Sequence, residues 1–136
     1  MFVYEVKGTR VRYADTDQMG YVYYGNYGRF YEIGRVEALR SIGFSYRDME
    51  QSGTMMPVYE NYSRYLQPAR YDDELTIKVL IPELPAARVV FRYEIRNQDN
   101  VLLNTGETTL VFLSRDTNRP TRAPKGLLER LAPYFS

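Results

Sequence analysis

The period of the apolar residues changes once along this chain, and that change limits its possible folds more than any other feature. Between Tyr27 and Ile42, apolar positions fall at Tyr27, Phe30, Tyr31, Gly34, Ala38 and Ile42. This is close to the i, i+3, i+4, i+7 spacing of a helix buried on one side. Arg29, Glu32, Arg35 and Arg40 occupy much of the rest. Further on the period falls to two. Leu75, Ile77, Val79 and Ile81 alternate with Glu74, Thr76, Lys78 and Leu80, and Val89, Phe91, Tyr93 and Ile95 alternate with Arg88, Val90, Arg92, Glu94 and Arg96. Alternation of this kind gives a sheet one apolar face. A helix stripe and a sheet face that cover each other make an α+β architecture.

The remaining elements follow from local signals. A first strand is predicted over residues 3–13, followed by a loop from Asp15 to Gly25. Asn26 is suited to an N-cap and Gly43 to the C′ position, which bounds the helix at about 27–42. Gly34 inside that helix costs about 1 kcal/mol relative to alanine, so its use suggests a close approach to a neighbouring backbone. Residues 55–67 read as extended, with Pro57 near the start. The turn Asn97-Gln98-Asp99-Asn100 leads into a strand from Val101 to about Leu113. A second helix begins after Pro124, with Leu127, Leu128 and Leu131 on one face. The order is strand, helix, four strands, helix, and no linker or repeat divides the 136 residues into more than one domain.

What the chain lacks narrows the chemistry. It has no cysteine and no histidine, so Ser-His-Asp and Cys-His catalysis and Cys- or His-ligated metal sites are excluded. A general base must be a carboxylate, Lys or Tyr. Eighteen Lys and Arg against 17 Asp and Glu argue against a nucleic-acid binder that works by phosphate neutralisation. No apolar stretch of about 20 residues is present, and the expectation is a cytoplasmic protein without stable membrane insertion. The 14 tyrosines suit half-buried strands and interfaces.

The most informative segment is Tyr13-Ala-Asp15-Thr-Asp17-Gln-Met-Gly20-Tyr-Val-Tyr23-Tyr24-Gly-Asn26-Tyr27. Two acidic residues and a glycine stand directly before a helix start, whose free N–H groups favour an anion or oxyanion. A carboxylate there can act as base or nucleophile. The same residues would also arise from simple complementation of the helix dipole. An EF-hand loop starting at Asp15 fails, because its fifth position is Met19 and its twelfth Asn26.

These motifs resemble the 4-hydroxybenzoyl-CoA thioesterase family and the related acyl-CoA thioesterases associated with the Tol-Pal system. The matching residues are Tyr13, Asp15-Thr-Asp17, Gly20, Val22-Tyr23-Tyr24, Asn26-Tyr27 and Phe30-Tyr31-Glu32, with Pro68-Ala-Arg70-Tyr-Asp72-Asp73-Glu-Leu75 further on. The resemblance implies a hotdog fold, a five-stranded antiparallel sheet wrapped around the long helix. It implies Asp17 as the catalytic carboxylate, a carbonyl-polarising backbone N–H at Tyr24, and Asp15 outside the catalytic role. Gly20 and Asn26 belong to the same substrate-binding loop. The Tol-Pal branch often carries His where this chain has Tyr24, and the tyrosine matches the hydroxybenzoyl branch instead. Tyr13, Tyr23 and Tyr27 are candidates for an acyl pocket, and Arg88 for binding the CoA phosphates. Arg64 and Arg70 are weaker candidates, with Arg70 expected to pair with Asp72 or Asp73. Family members are dimers or tetramers with sites at the subunit interface, so a homodimer at least, and a homotetramer as the fuller state, is expected here.

The implied substrate is an acyl-CoA or acyl carrier protein thioester, with no metal or other cofactor. A thiol of pKa near 8.5 leaves with little help from an acid. Asp17 could attack to form an anhydride or could activate water. A hotdog dehydratase is disfavoured because such enzymes use a histidine. A non-catalytic module that binds acyl-CoA or acyl carrier protein is the alternative from a different class.

Overall fold

The computed structural model describes residues 1–135. Strand β1 (Phe2–Arg10) is followed by single 3-10 turns at Tyr13–Asp15 and Tyr24–Asn26, then helix α1 (Tyr27–Ser41) and a short helix α2 (Tyr46–Gln51). Next come β2 (Thr54–Met55), β3 (Val58–Tyr65), β4 (Glu74–Ile81), β5 (Arg88–Arg96), β6 (Leu102–Val111) and β7 (Leu113–Ser114). Helix α3 (Lys125–Leu131) and a last 3-10 turn close the described chain. Five strands form one sheet in the order β1-β4-β5-β6-β3, every neighbouring pair antiparallel, while β2 and β7 pair separately.

The alternation in the sequence becomes the inner face of this sheet. Leu75, Ile77, Val79 and Ile81 from β4, and Val89, Phe91, Tyr93 and Ile95 from β5, are all buried. Helix α1 lies across them with Tyr27, Phe30, Tyr31, Ala38 and Leu39 buried. At Gly34 a Cβ would stand 2.8 Å from Val79 Cγ2 and 3.0 Å from Ile77 Cγ2. Those distances lie inside normal carbon–carbon contact, so the glycine is what permits the close approach. Gly43 follows the helix with φ +78°, as a C′ glycine should. Leu127 and Leu131 of α3 are buried as expected, and Pro124 stands at its N-cap.

Several expectations need correcting. The first strand ends at Arg10 rather than residue 13. Val11 remains buried, but its amide and carbonyl pair with Asp73 and Asp72 of the β3–β4 connection. Helix α2 was not anticipated. Its capping box has Ser45 Oγ accepting from the Asp48 amide while the Asp48 carboxylate accepts from the Ser45 amide. Arg35, expected on the outer surface of α1, is 7 % exposed. Its Nη1 donates to the Tyr93 hydroxyl at 3.0 Å, and its Nε is buried without a partner among the described residues.

Arg35 belongs to a polar layer beneath the free edge of the sheet. Tyr31 stacks on Tyr93 with ring centroids 4.1 Å apart, and its hydroxyl meets Ser63 Oγ at 2.7 Å. Thr108 Oγ1 donates to Asn61 Oδ1 at 2.6 Å. The edge strand β3, which carries Asn61 and Ser63, has no strand beyond it. Val58, Tyr59, Tyr62 and Tyr65 along it are each at least half exposed.

Candidate active site

The loop between β1 and α1 is held by its own polar groups. The Asp15 carboxylate accepts from the Arg12 amide at 2.8 Å and forms an ion pair with Arg29 on the first turn of α1. Its backbone carbonyl accepts from the Tyr23 amide at 2.9 Å and from Asn26 Nδ2 at 2.8 Å. Asp15 is nearly buried and ties the loop to the helix at both ends. Asn26 therefore serves a different purpose from the one expected. The 3-10 turn before α1 already gives it helical dihedrals, φ −84° and ψ −10°, and its side chain makes no cap. Helical backbone at that position starts the helix earlier and frees the amide to brace the loop.

Asp17 faces elsewhere. Its Oδ1 accepts from the amides of Met19 at 2.9 Å and Tyr21 at 3.3 Å, an Asx-type turn. The Asp17 carbonyl accepts from Gly20 N–H at 3.0 Å, and Gly20 takes φ +79° to close the turn. Among the described residues the second carboxylate oxygen, Oδ2, accepts no hydrogen bond. A fixed carboxylate with one free oxygen can attack a carbonyl or take a proton from water.

That carboxylate borders an open cleft of about 270 Å³ whose walls include Tyr24, Tyr27, Tyr65, Leu66 and Pro68. Tyr24 begins the 3-10 turn that runs into α1, so its amide is among the first N–H groups of the helical run, which have no intrahelical acceptor. The Tyr27 ring lies edge-on to Tyr65, centroids 5.3 Å apart. Burial pushes the Tyr27 hydroxyl up to about 12, further from physiological pH than an ordinary phenol. The hydrogen bond that the Tyr23 hydroxyl donates to Tyr24 raises Tyr23 from its ordinary value.

The other expected residues separate into groups. Gly20 shapes the turn without forming a wall of the cleft, and the Tyr23 ring lies tilted against that of Tyr24, centroids 4.7 Å apart. Tyr13 is 80 % exposed and lies edge-on to Tyr71, away from the cleft. The turn at Tyr13–Asp15 breaks strand alternation there and swings the ring outward. Arg88 starts β5 opposite Val111, level with Val58 at the beginning of β3. Tyr65 and the cleft lie at the far end of β3, so Arg88 does not approach Asp17 of its own chain. Arg70 makes no ion pair with Asp72 or Asp73. Its guanidinium sits 5.0 Å over the Tyr21 ring, its amide donates to Asp73 Oδ2 at 2.8 Å, and Asp72 pairs with Arg10 instead.

The residues that sequence reasoning missed at this site are Tyr21, Tyr65 and Leu66 on the cleft wall and the Asp15–Arg29 pair. The segment after β3 reaches the loop through the Val22 amide, which donates to the Ala69 carbonyl at 2.8 Å. Only the expected Pro68-Ala69-Arg70 motif hinted at that meeting.

A five-stranded antiparallel sheet wrapped on one long helix is a hotdog fold, and its relatives make the chain a thioester hydrolase. The chain belongs to the thioesterase-like superfamily, whose family pattern matches residues 11–131. It is 35% identical over 119 residues to the acyl-CoA thioester hydrolase YbgC of Escherichia coli O6:H1, covering 88% of this chain and 89% of the relative. It is 31% identical over 119 residues to the putative acyl-CoA thioesterase YneP of Bacillus subtilis, covering 88% and 86%. Among solved structures it is similar to the DHNA-CoA thioesterase of Staphylococcus aureus, with TM-score 0.84 and 33% identity over 99% of this chain and 85% of that one. No helix among the described residues is long and apolar enough to cross a membrane.

Proposed function

We propose that this protein hydrolyses acyl-CoA thioesters in the cytoplasm, water and thioester giving free acid and thiol, with Asp17 as the essential carboxylate. The observation that carries this reading is the shared cleft, which Asp17 and Tyr24 both line. The thioester carbonyl oxygen is received by the Tyr24 amide, where a preorganised N–H stabilises the developing oxyanion. Asp17 then either attacks the carbonyl carbon or takes a proton from an attacking water. Thiolate departs without needing an acid, and no histidine is required at any step.

Two copies of the chain complete this reading. The edge strand β3 presents unpaired backbone groups and a row of tyrosines, a natural template for a second β3. Antiparallel pairing of the two strands brings Arg88 of the neighbour toward the Asp17 cleft, where its charge serves the phosphates of CoA. A dimer formed through β3, with a tetramer as the next level, is the expected assembly.

Acyl-CoAs with short, long and aromatic acyl groups, assayed by thiol release, test the activity. Turnover of at least one class is expected, and no release from any of them overturns the proposal. Binding without turnover would instead make the protein a carrier module. Light scattering tests the assembly, and full activity at a mass of 16.0 kDa would remove the interface.

A further inference from the structure

Arg88 does not stand alone at its end of the sheet. The segment after β7 returns along the β4–β5 connection and is pinned there through the backbone. The Phe112 amide donates to the Ala87 carbonyl at 3.3 Å, the Thr121 amide to the Phe112 carbonyl at 2.9 Å, and the Ala123 amide to the Ala86 carbonyl at 2.8 Å. Arg122 therefore sits between two residues tied to Phe112 and to the backbone just before Arg88. Hydrogen-bonded extended segments lie about 5 Å apart, so two long arginine side chains can reach one group between them. Arg88 and Arg122 are both exposed, while their neighbours Val89 and Ala123 are buried.

The returning segment is held firmly and is rich in charge. Pro120 forms a β-bridge with Leu113, and the Ser114 amide donates to the Arg119 carbonyl at 2.8 Å. Asn118, whose amide donates to the Ser114 carbonyl at 2.8 Å, closes the turn in the left-handed region at φ +57°. Residues 82–88 and 114–122 together carry Arg88, Arg115, Arg119 and Arg122 against Glu83 and Asp116. None of these six takes part in an ion pair among the described residues. The planar fork of a guanidinium matches the oxygens of a phosphate, and here its donors are not spent on a carboxylate.

Resting on the thioesterase reading above, we propose that Arg122 joins Arg88 in seating the ribose 3′-phosphate of CoA, so that the acyl group is taken from CoA and not from a carrier protein. The chemistry of the phosphates selects this group. A terminal phosphate carries about −1.5 to −2 charges at pH 7, which two cations match. It also offers three oxygens to donors that arrive from separate segments, whereas each phosphorus of the linking diphosphate offers two. The phosphopantetheine arm of a carrier protein ends in a single diester of one negative charge and has no such group. Arg115 and Arg119 add to the positive field that draws the nucleotide in. The seat acts on binding and leaves the thioester chemistry to Asp17 and Tyr24.

The test uses the full-length protein and one acyl group carried on CoA, on dephospho-CoA, which lacks only the 3′-phosphate, and on acyl carrier protein. The unsubstituted protein is expected to prefer acyl-CoA to acyl-dephospho-CoA at least about tenfold in kcat/KM, the scale of one charged hydrogen-bonded pair. Arg122→Gln should remove most of that preference by raising KM for acyl-CoA, with kcat changed less than about threefold, and Arg122→Lys should restore part of it. Equal kcat/KM for the two nucleotides in the unsubstituted protein overturns the proposal. So does an equal loss on both in Arg122→Gln, which is what a merely structural role would give. A loss on acyl carrier protein as large as that on acyl-CoA would assign the arginines to a protein carrier and overturns it too. Calorimetry reads the seat without hydrolysis. Adenosine 3′,5′-bisphosphate should bind the unsubstituted protein at least about tenfold tighter than adenosine 5′-monophosphate, and Arg122→Gln should bring the two together. Equal binding of the two by the unsubstituted protein overturns the seat, whereas bisphosphate binding without hydrolysis of any thioester overturns only the reading beneath it.

Discussion

Asp17→Asn lowers acyl-CoA turnover at least about a hundredfold, the usual scale of a lost general base, and by more if Asp17 is the nucleophile. The substitution keeps the shape of the side chain and lets the amide oxygen still accept from Met19 and Tyr21, so the turn should survive. What disappears is the negative charge of a residue that lines the cleft. Asp15→Asn is the control. It weakens the pair with Arg29, whose side chain is half exposed and can turn to water, while the bond from the Arg12 amide can persist. A loss of turnover under about tenfold is expected, along with a loss of stability of about 1–3 kcal/mol, the usual size for a weakened buried hydrogen bond, seen as a lower melting temperature. Steady-state kinetics and thermal unfolding of both variants decide the matter. Equal and severe losses of turnover would sink the division of roles between the two aspartates.

Gly34→Val should damage the fold. In an exposed helix, replacing glycine by alanine gains about 1 kcal/mol. Here the first added carbon already meets Val79 and Ile77 at 2.8 and 3.0 Å, and a β-branched side chain adds two more. Both neighbours are fully buried, so they have little room to move. Overpacking of this kind costs about 1–3 kcal/mol. Urea unfolding should show a lower midpoint at an unchanged slope. An unchanged midpoint would mean that α1 is not seated as closely on β4 as these distances state.

How much of this was legible in the sequence depends on the range of the signal. Faces written in a local period came through: the inward residues of β4 and β5, and the Gly34 side of α1, were all readable from spacing. Strand order was not, because β3 reaches the far edge through pairing with β6, about 40–50 residues away, and no local pattern records that. Helix α2 was readable in principle, since Ser45-Tyr-Arg-Asp48 is a capping box, but its six residues carry little period. Arg35 looked like an outer-face charge because charges usually are. Its burial depends on Tyr93, contributed by a strand 58 residues away. In the site, Asp17, Tyr24 and Tyr27 stood in one motif and meet at one cleft. Tyr65 and Leu66 could not be found that way, because only the fold brings the end of β3 to the loop. Tyr13 failed for a local reason, the turn that interrupts strand alternation.

The stacked and buried tyrosines beneath the helix also make the fold sensitive to alkali. Burial pushes Tyr31 up to about 12, as it does Tyr27, whereas a phenol in an unfolded chain ionises near 10. Between those values the folded state holds protons that the unfolded state has released, so stability falls as pH rises. The contribution is complete below pH 10 and is lost as the pH passes through 12. With no histidine in the chain, no side chain of that type titrates near neutrality to compete with this effect. Tyrosinate absorbance followed on raising the pH should therefore rise in two stages, exposed rings first and the buried ones only together with cooperative unfolding seen by circular dichroism. A single smooth ionisation of all 14 tyrosines near pH 10, with the fold intact, would show that these rings are open to water.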